Sequence, residues 1–77
     1  MTVNKQLDVD ATGKRIDELR KACGLTVRNV TDSLGITVMS YYKWKSGKCM
    51  PTIDNLVLLA LIFGVNIDDI IRVSDIN

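Results

Sequence analysis

The residues best equipped for chemistry in this 77-residue sequence are cationic and aromatic and lie close together: Lys43, Lys45 and Lys48 beside Tyr41, Tyr42 and Trp44. Ammonium groups neutralise phosphates, and phenols or apolar side chains reach base edges, so such a stretch suits a polyanion. Tyr41 and Trp44 stand three residues apart within an apolar helical pattern, which favours the core over stacking platforms. Other reactive groups are scarce. Histidine is absent and the two cysteines are Cys23 and Cys49, which leaves no His-containing zinc site and no multi-disulfide scaffold. No carboxylates pair obviously around a pocket and neither thiol has a visible base, so general acid–base and Cys–His chemistry lack their machinery. A nucleophilic Cys49 would require a depressed thiol pKa. The expectation is a protein that is not an enzyme, holds no metal or cofactor, and works in a reducing, cytoplasmic setting.

The net charge of +1 conceals a segregation. Residues 13–48 carry eight basic side chains against three acidic ones, a net +5, and the flanks together carry −4. One basic face turned toward a polyanion follows from that distribution. The start shows no signal-peptide pattern, and the longest apolar run, Leu56 to Phe63, is eight residues, too short to cross a bilayer.

These side chains need rigid elements to aim them. Glycines follow apolar helical stretches at Cys23-Gly24, Leu34-Gly35, Ser46-Gly47 and Phe63-Gly64, as in left-handed helix C-caps. Thr26, Thr37, Thr52 and Asn66 each precede a periodic stretch and suit N-caps. Five helices are predicted, at 12–23, 27–34, 38–46, 53–63 and 67–73, with no strand. Residues 1–11 form an arm or a lead-in to the first helix, and residues 12–77 form one all-α domain. Cys23, at an apolar helical position, reads as a small buried hydrophobe, and Cys49, in the loop before Pro51, reads as exposed.

The second and third predicted helices meet at Gly35-Ile36-Thr37. Two short helices joined by a tight glycine-containing turn form a helix-turn-helix, whose second helix enters the DNA major groove. With Tyr41 and Trp44 inward, Val38, Met39, Tyr42 and Lys43 point outward as candidate base contacts. Lys43 can donate to guanine O6 or N7, and Val38 or Met39 can pack on a thymine methyl. Arg28, Lys45, Ser46 and Lys48 are candidate phosphate contacts, together with backbone N–H groups at the two helix starts. About four to six phosphates per monomer would give a log K against log salt slope of about −0.9 per contact.

The run Arg15-Ile16-Asp17-Glu18-Leu19-Arg20, then Leu25-Thr26, Leu34-Gly35-Ile36-Thr37, Trp44, Gly47 and Pro51, resembles the phage-repressor and Cro-like, or XRE-like, family. The tail Leu59 to Ile71 is similar to that family's fourth and fifth helices, so the resemblance covers roughly 13–73. It implies a five-helix lambda-repressor-like fold and a small transcriptional regulator, a repressor of phage or bacterial genes, that binds double-stranded DNA as a homodimer. The family's base contacts fall at Val38, Met39 and Lys43, with Thr37 near the backbone. Three positions depart from the pattern: Val27 replaces a glutamine that contacts phosphate, Thr31 replaces a small alanine between the helices, and Lys45 replaces a glutamate. That glutamate can pair with an arginine on the first helix, so Arg20 needs another partner.

The fourth predicted helix is apolar on all sides from Leu56 to Phe63, and something must cover its second face. Either the fifth helix and the arm do so, or Leu58 and Ile62 build a homodimer interface that sets two recognition helices about 34 Å apart. A rival to the DNA reading is an antitoxin-like or accessory module that binds a protein partner. It would merge Val38, Met39 and Tyr42 into an apolar patch, whereas a DNA binder would gather Arg28, Lys43, Lys45 and Lys48 on one face.

Overall fold

The computed structural model describes residues 3–76; residues 1, 2 and 77, at the ends of the expected arm and domain, lie outside the described residues. The chain runs β1 (Lys5–Leu7), α1 (Val9–Ala22), α2 (Val27–Leu34), α3 (Val38–Lys45), α4 (Ile53–Phe63), a 3-10 turn (Ile67–Asp69) and β2 (Val73–Asp75). No helix among the described residues is long and apolar enough to cross a membrane.

Local chemistry sets the helix boundaries. Thr26, Thr37 and Thr52 each accept a hydrogen bond from the backbone N–H three residues on, satisfying a donor that would otherwise lack a partner. At α2 the cap is reciprocal, since Asn29 Oδ1 accepts from the Thr26 N–H at 2.9 Å. Gly24, Gly35, Gly47 and Gly64 all take positive φ, as the caps require. Gly35, at φ 68°, lets the chain reverse so that α3 begins after three turn residues.

Three expectations need correction, and each has a physical reason. First, α1 begins at Val9 because Asp8 caps it, its Oδ1 accepting from the Ala11 N–H at 2.9 Å. The expected arm therefore contributes helix as well as strand. Second, the fifth helix shrinks to the 3-10 turn Ile67–Asp69. Ile70, Ile71 and Val73 are β-branched and favour extended backbone. The Arg72 N–H donates to Thr12 Oγ1 at 3.0 Å and its carbonyl accepts from the Asp8 N–H at 2.8 Å, so Arg72 is tied to the start of α1. The chain then pairs antiparallel with β1, in the register Lys5 with Asp75, Gln6 with Ser74 and Leu7 with Val73. Third, Cys23 is exposed, its Sγ 3.8 Å from the Phe63 carbonyl oxygen, because the helix ends there. Cys49 is exposed as expected.

The core joins Ile16 and Leu19 of α1, Val30 of α2, Tyr41 and Trp44 of α3, and Leu56, Leu59, Ala60 and Phe63 of α4, closed by Ile70. At the crossing of α1 and α3 the backbones touch. A Cβ on Gly13 would lie 1.8 Å from the Trp44 carbonyl oxygen, so only glycine fits. That contact fixes the C-terminal half of α3, the part that carries the lysines. Ile53, Val57, Leu58 and Leu61 stay exposed, so among the described residues neither arm nor tail covers this face of α4.

Candidate nucleic-acid interface

Because Tyr41 and Trp44 are both buried in the core, the rotation of α3 about its axis is fixed and the opposite face must point outward. There Met39 is 69% and Tyr42 48% exposed, with Lys43 exposed beside them. The α3 surface and the turn after it form an open hollow of about 630 Å³ lined by Met39, Tyr42, Lys43, Lys45, Ser46 and Lys48. It brings together three of the four expected base contacts and three of the five expected phosphate contacts. Val38 is half-buried at the helix start and does not line the hollow. Thr37 and the exposed Arg28 lie outside it too, at the starts of α3 and α2. Thr37 Oγ1 accepts from the Ser40 N–H at 3.2 Å and lies 3.1 Å from the Ser40 hydroxyl.

The cations differ in what holds them. Among the described residues, Lys43, Lys48 and Arg28 form no ion pair. Lys45 Nζ lies 3.6 Å from Asp17 Oδ2 and 5.9 Å from the centre of the Tyr42 ring. Asp17 is the residue that sequence reasoning missed. Its Oδ1 accepts from Tyr41 Oη at 2.6 Å and from Arg20 Nε at 3.2 Å and Nη2 at 3.1 Å. Arg20 also donates to Tyr41 Oη and to the Leu25 carbonyl. Arg20 thus finds its partner on its own helix, and the Asp17 carboxylate lies within reach of both Arg20 and Lys45. The helical spacing of Asp17 to Arg20 and Lys21 was the available signal, since residues three and four apart share a face.

Burial of Asp17 opposes its ionisation, but the Tyr41 hydroxyl, the Arg20 guanidinium and the Lys21 ammonium outweigh it and lower its pKa to about 2. Burial, reinforced by the adjacent carboxylate, pushes the Tyr41 phenol well above its ordinary value. At neutral pH the pair is a carboxylate and a neutral phenol, the combination in which the phenol donates. This charge-assisted bond ties α3 to α1.

Four helices with a tight turn between the second and third, and a cationic outer face on the third, define a helix-turn-helix protein. The helix-turn-helix domain family matches residues 13–76, and the chain belongs to that family, in its phage-repressor and Cro-like branch. It is 37% identical over 57 residues to the cryptic phage CTXphi transcriptional repressor RstR of Vibrio cholerae, covering 74% of this chain and 51% of that protein. It is 34% identical over 62 residues to the uncharacterized HTH-type transcriptional regulator YobD of Bacillus subtilis, covering 80% of this chain and 55% of that one. The chain thus spans about half the length of the curated relatives it matches. Among solved structures, the restriction-modification controller protein C.AhdI of Aeromonas hydrophila superposes with a TM-score of 0.74 at 22% identity, covering 82% of this chain and 96% of that one. The clp gene regulator ClgR of C. glutamicum gives 0.73 at 17% identity, covering 84% of each chain. At those identities the likeness concerns the fold.

Proposed function

We propose that this chain binds double-stranded DNA sequence-specifically, with α3 in the major groove, as a small transcriptional regulator of the repressor type. The observation that carries this reading is the outer face of α3, where Met39, Tyr42 and Lys43 share one hollow with Lys48. Base edges meet the first three side chains, with Val38 at the helix start adding an apolar contact, and phosphates meet Lys48. Arg28, Thr37 and Ser46 add phosphate contacts. Lys45 stands apart from these because Asp17 engages it. The names of relatives, a transcriptional repressor among them, agree with this assignment. The protein works in the cytoplasm and performs no catalysis.

A homodimer belongs to the same reading. The exposed side chains Ile53, Val57 and Leu61 recur every four residues along α4, with Leu58 beside them, a stripe that a second copy would cover. Ile62, half-buried against the core, borders it. The rival protein-binding module needs Val38, Met39 and Tyr42 to merge into one apolar patch. Instead Val38 is half-buried and lies outside the hollow, and Met39 and Tyr42 share that hollow with Lys43, Lys45 and Lys48, which favours DNA.

Methylation interference on a bound duplex tests the docking. Methyl groups on guanine N7, in the major groove, should block binding, whereas interference confined to adenine N3, in the minor groove, contradicts it.

A further inference from the structure

We propose that Asp17 is a positioning residue for DNA binding: its carboxylate holds Lys45 off the phosphate backbone, so that the domain meets duplex DNA with one effective cation fewer than its sequence carries. The inference rests on the reading of α3 as the recognition helix and assigns a role within it.

The geometry makes Asp17 a fixed counter-ion. Its side chain is 8% exposed, and Oδ1 is locked by Tyr41 and Arg20, so the carboxylate cannot turn away from α3. Oδ2 is left for two ammonium groups, Lys21 at 3.4 Å and Lys45 at 3.6 Å. Lys45 is the last residue of α3 and lines the same hollow as Lys43 and Lys48, yet it alone of the three has a carboxylate within 4.0 Å among the described residues. The Tyr42 ring gives its ammonium a second hold.

To reach a phosphate, Lys45 must leave a negative charge that stays behind, close to the DNA. A pair with one partly buried partner is screened less by salt than two exposed charges. Non-specific binding is essentially all electrostatic, whereas operator binding also draws on base contacts. Withholding one cation from the phosphates weakens random and operator binding by about the same factor and lowers the salt dependence of both.

Asp17→Asn, Lys45→Met, the double variant and Lys48→Ala would be compared by fluorescence anisotropy on random duplex and on selected operator across a salt series. Thermal melts would confirm folding. Asp17→Asn should steepen the log K against log salt slope by about 0.9 per monomer, equivalent to about fivefold tighter binding at about 0.15 M salt, on random duplex and operator alike. Lys45→Met should leave the wild-type slope unchanged, and the double variant should return to it. The proposal is overturned if Asp17→Asn steepens the slope equally without Lys45, since any removed negative charge would then do the same. It is overturned as well if Lys45→Met alone flattens the wild-type slope by about 0.9, because Lys45 would already be on a phosphate. Should Asp17→Asn fail to fold, the Lys45→Met result alone decides. Lys48→Ala separates the two levels: a flattened slope keeps the recognition face in place even if Asp17 proves inert, and an unchanged slope removes both.

Discussion

The phenol of Tyr41 donates to the carboxylate of Asp17 across 2.6 Å, and this bond joins the recognition helix to the first helix in the interior of the domain. Both groups are buried, the Arg20 guanidinium donates to each, and the carboxylate also meets the ammonium groups of Lys21 and Lys45. The proposed docking requires that α3 not roll about its axis, and roll is opposed at two points. The Asp17–Tyr41 bond is one, and the backbone contact between Gly13 and Trp44 is the other.

The Asp17 network gives stability an acid dependence of definite sign. The carboxyl lies at about 2 in the folded chain and at its ordinary 3.8 when unfolded, so the unfolded chain takes up a proton first. Its contribution, about 2 kcal/mol, is complete above pH 3.8, declines below it and is gone once the pH has fallen through 2. Urea unfolding between pH 6 and pH 2 should show this loss in the wild type, and Asp17→Asn should remove that part of the curve. Parallel curves for the two proteins would contradict the assigned network.

Gly13→Ala places a methyl group 1.8 Å from the Trp44 carbonyl oxygen, a backbone atom with nowhere to retreat. The substitution should cost about 3 kcal/mol, at the upper end of overpacking, against the small gain that alanine gives an ordinary helix interior. Thermal unfolding reads this directly. A variant that melts at or above the wild-type temperature would mean that α1 and α3 are not in contact there.

Lys43 and Lys48 lie in one hollow, and the proposed docking gives them different tasks. Lys43→Ala should weaken operator binding more than random binding, by about 1–3 kcal/mol at the guanine it reads. Lys48→Ala should weaken both alike and reduce the salt slope by about 0.9. Equal losses from the two variants would remove the division between base reader and phosphate contact.

On α4, Leu61 is 73% exposed, whereas Ile62 is half-buried against the core. Leu61→Glu should therefore give a folded monomer by sedimentation, and Ile62→Glu should unfold the chain. A Leu61→Glu protein that sediments as wild type does would place any dimer contact elsewhere.

Much of this was legible in the sequence. Thr26, Thr37 and Thr52 paired with Gly35, Gly47 and Gly64 marked the ends of α2, α3 and α4 almost to the residue, because capping is local chemistry. The inward pair Tyr41 and Trp44 followed from helical period and fixed which residues face outward. What escaped depended on contacts between residues distant in sequence. Pairing of residues 5–7 with residues 73–75 drew the tail out of helix, and nothing in either segment alone announced it. Gly13 lies inside a helical pattern, and only the fold brings the Trp44 backbone against it. Asp17 looked like one more surface carboxylate on a polar helix, and only the fold shows that Tyr41 and Lys45 meet it.

The central claim is sequence-specific readout of duplex DNA by α3, and selection from a random duplex library by the purified protein at about 0.15 M salt tests it most directly. Docking of a two-fold dimer should enrich an inverted repeat with half-site centres about one helical turn, about 34 Å, apart. A folded protein that enriches no sequence would contradict the claim.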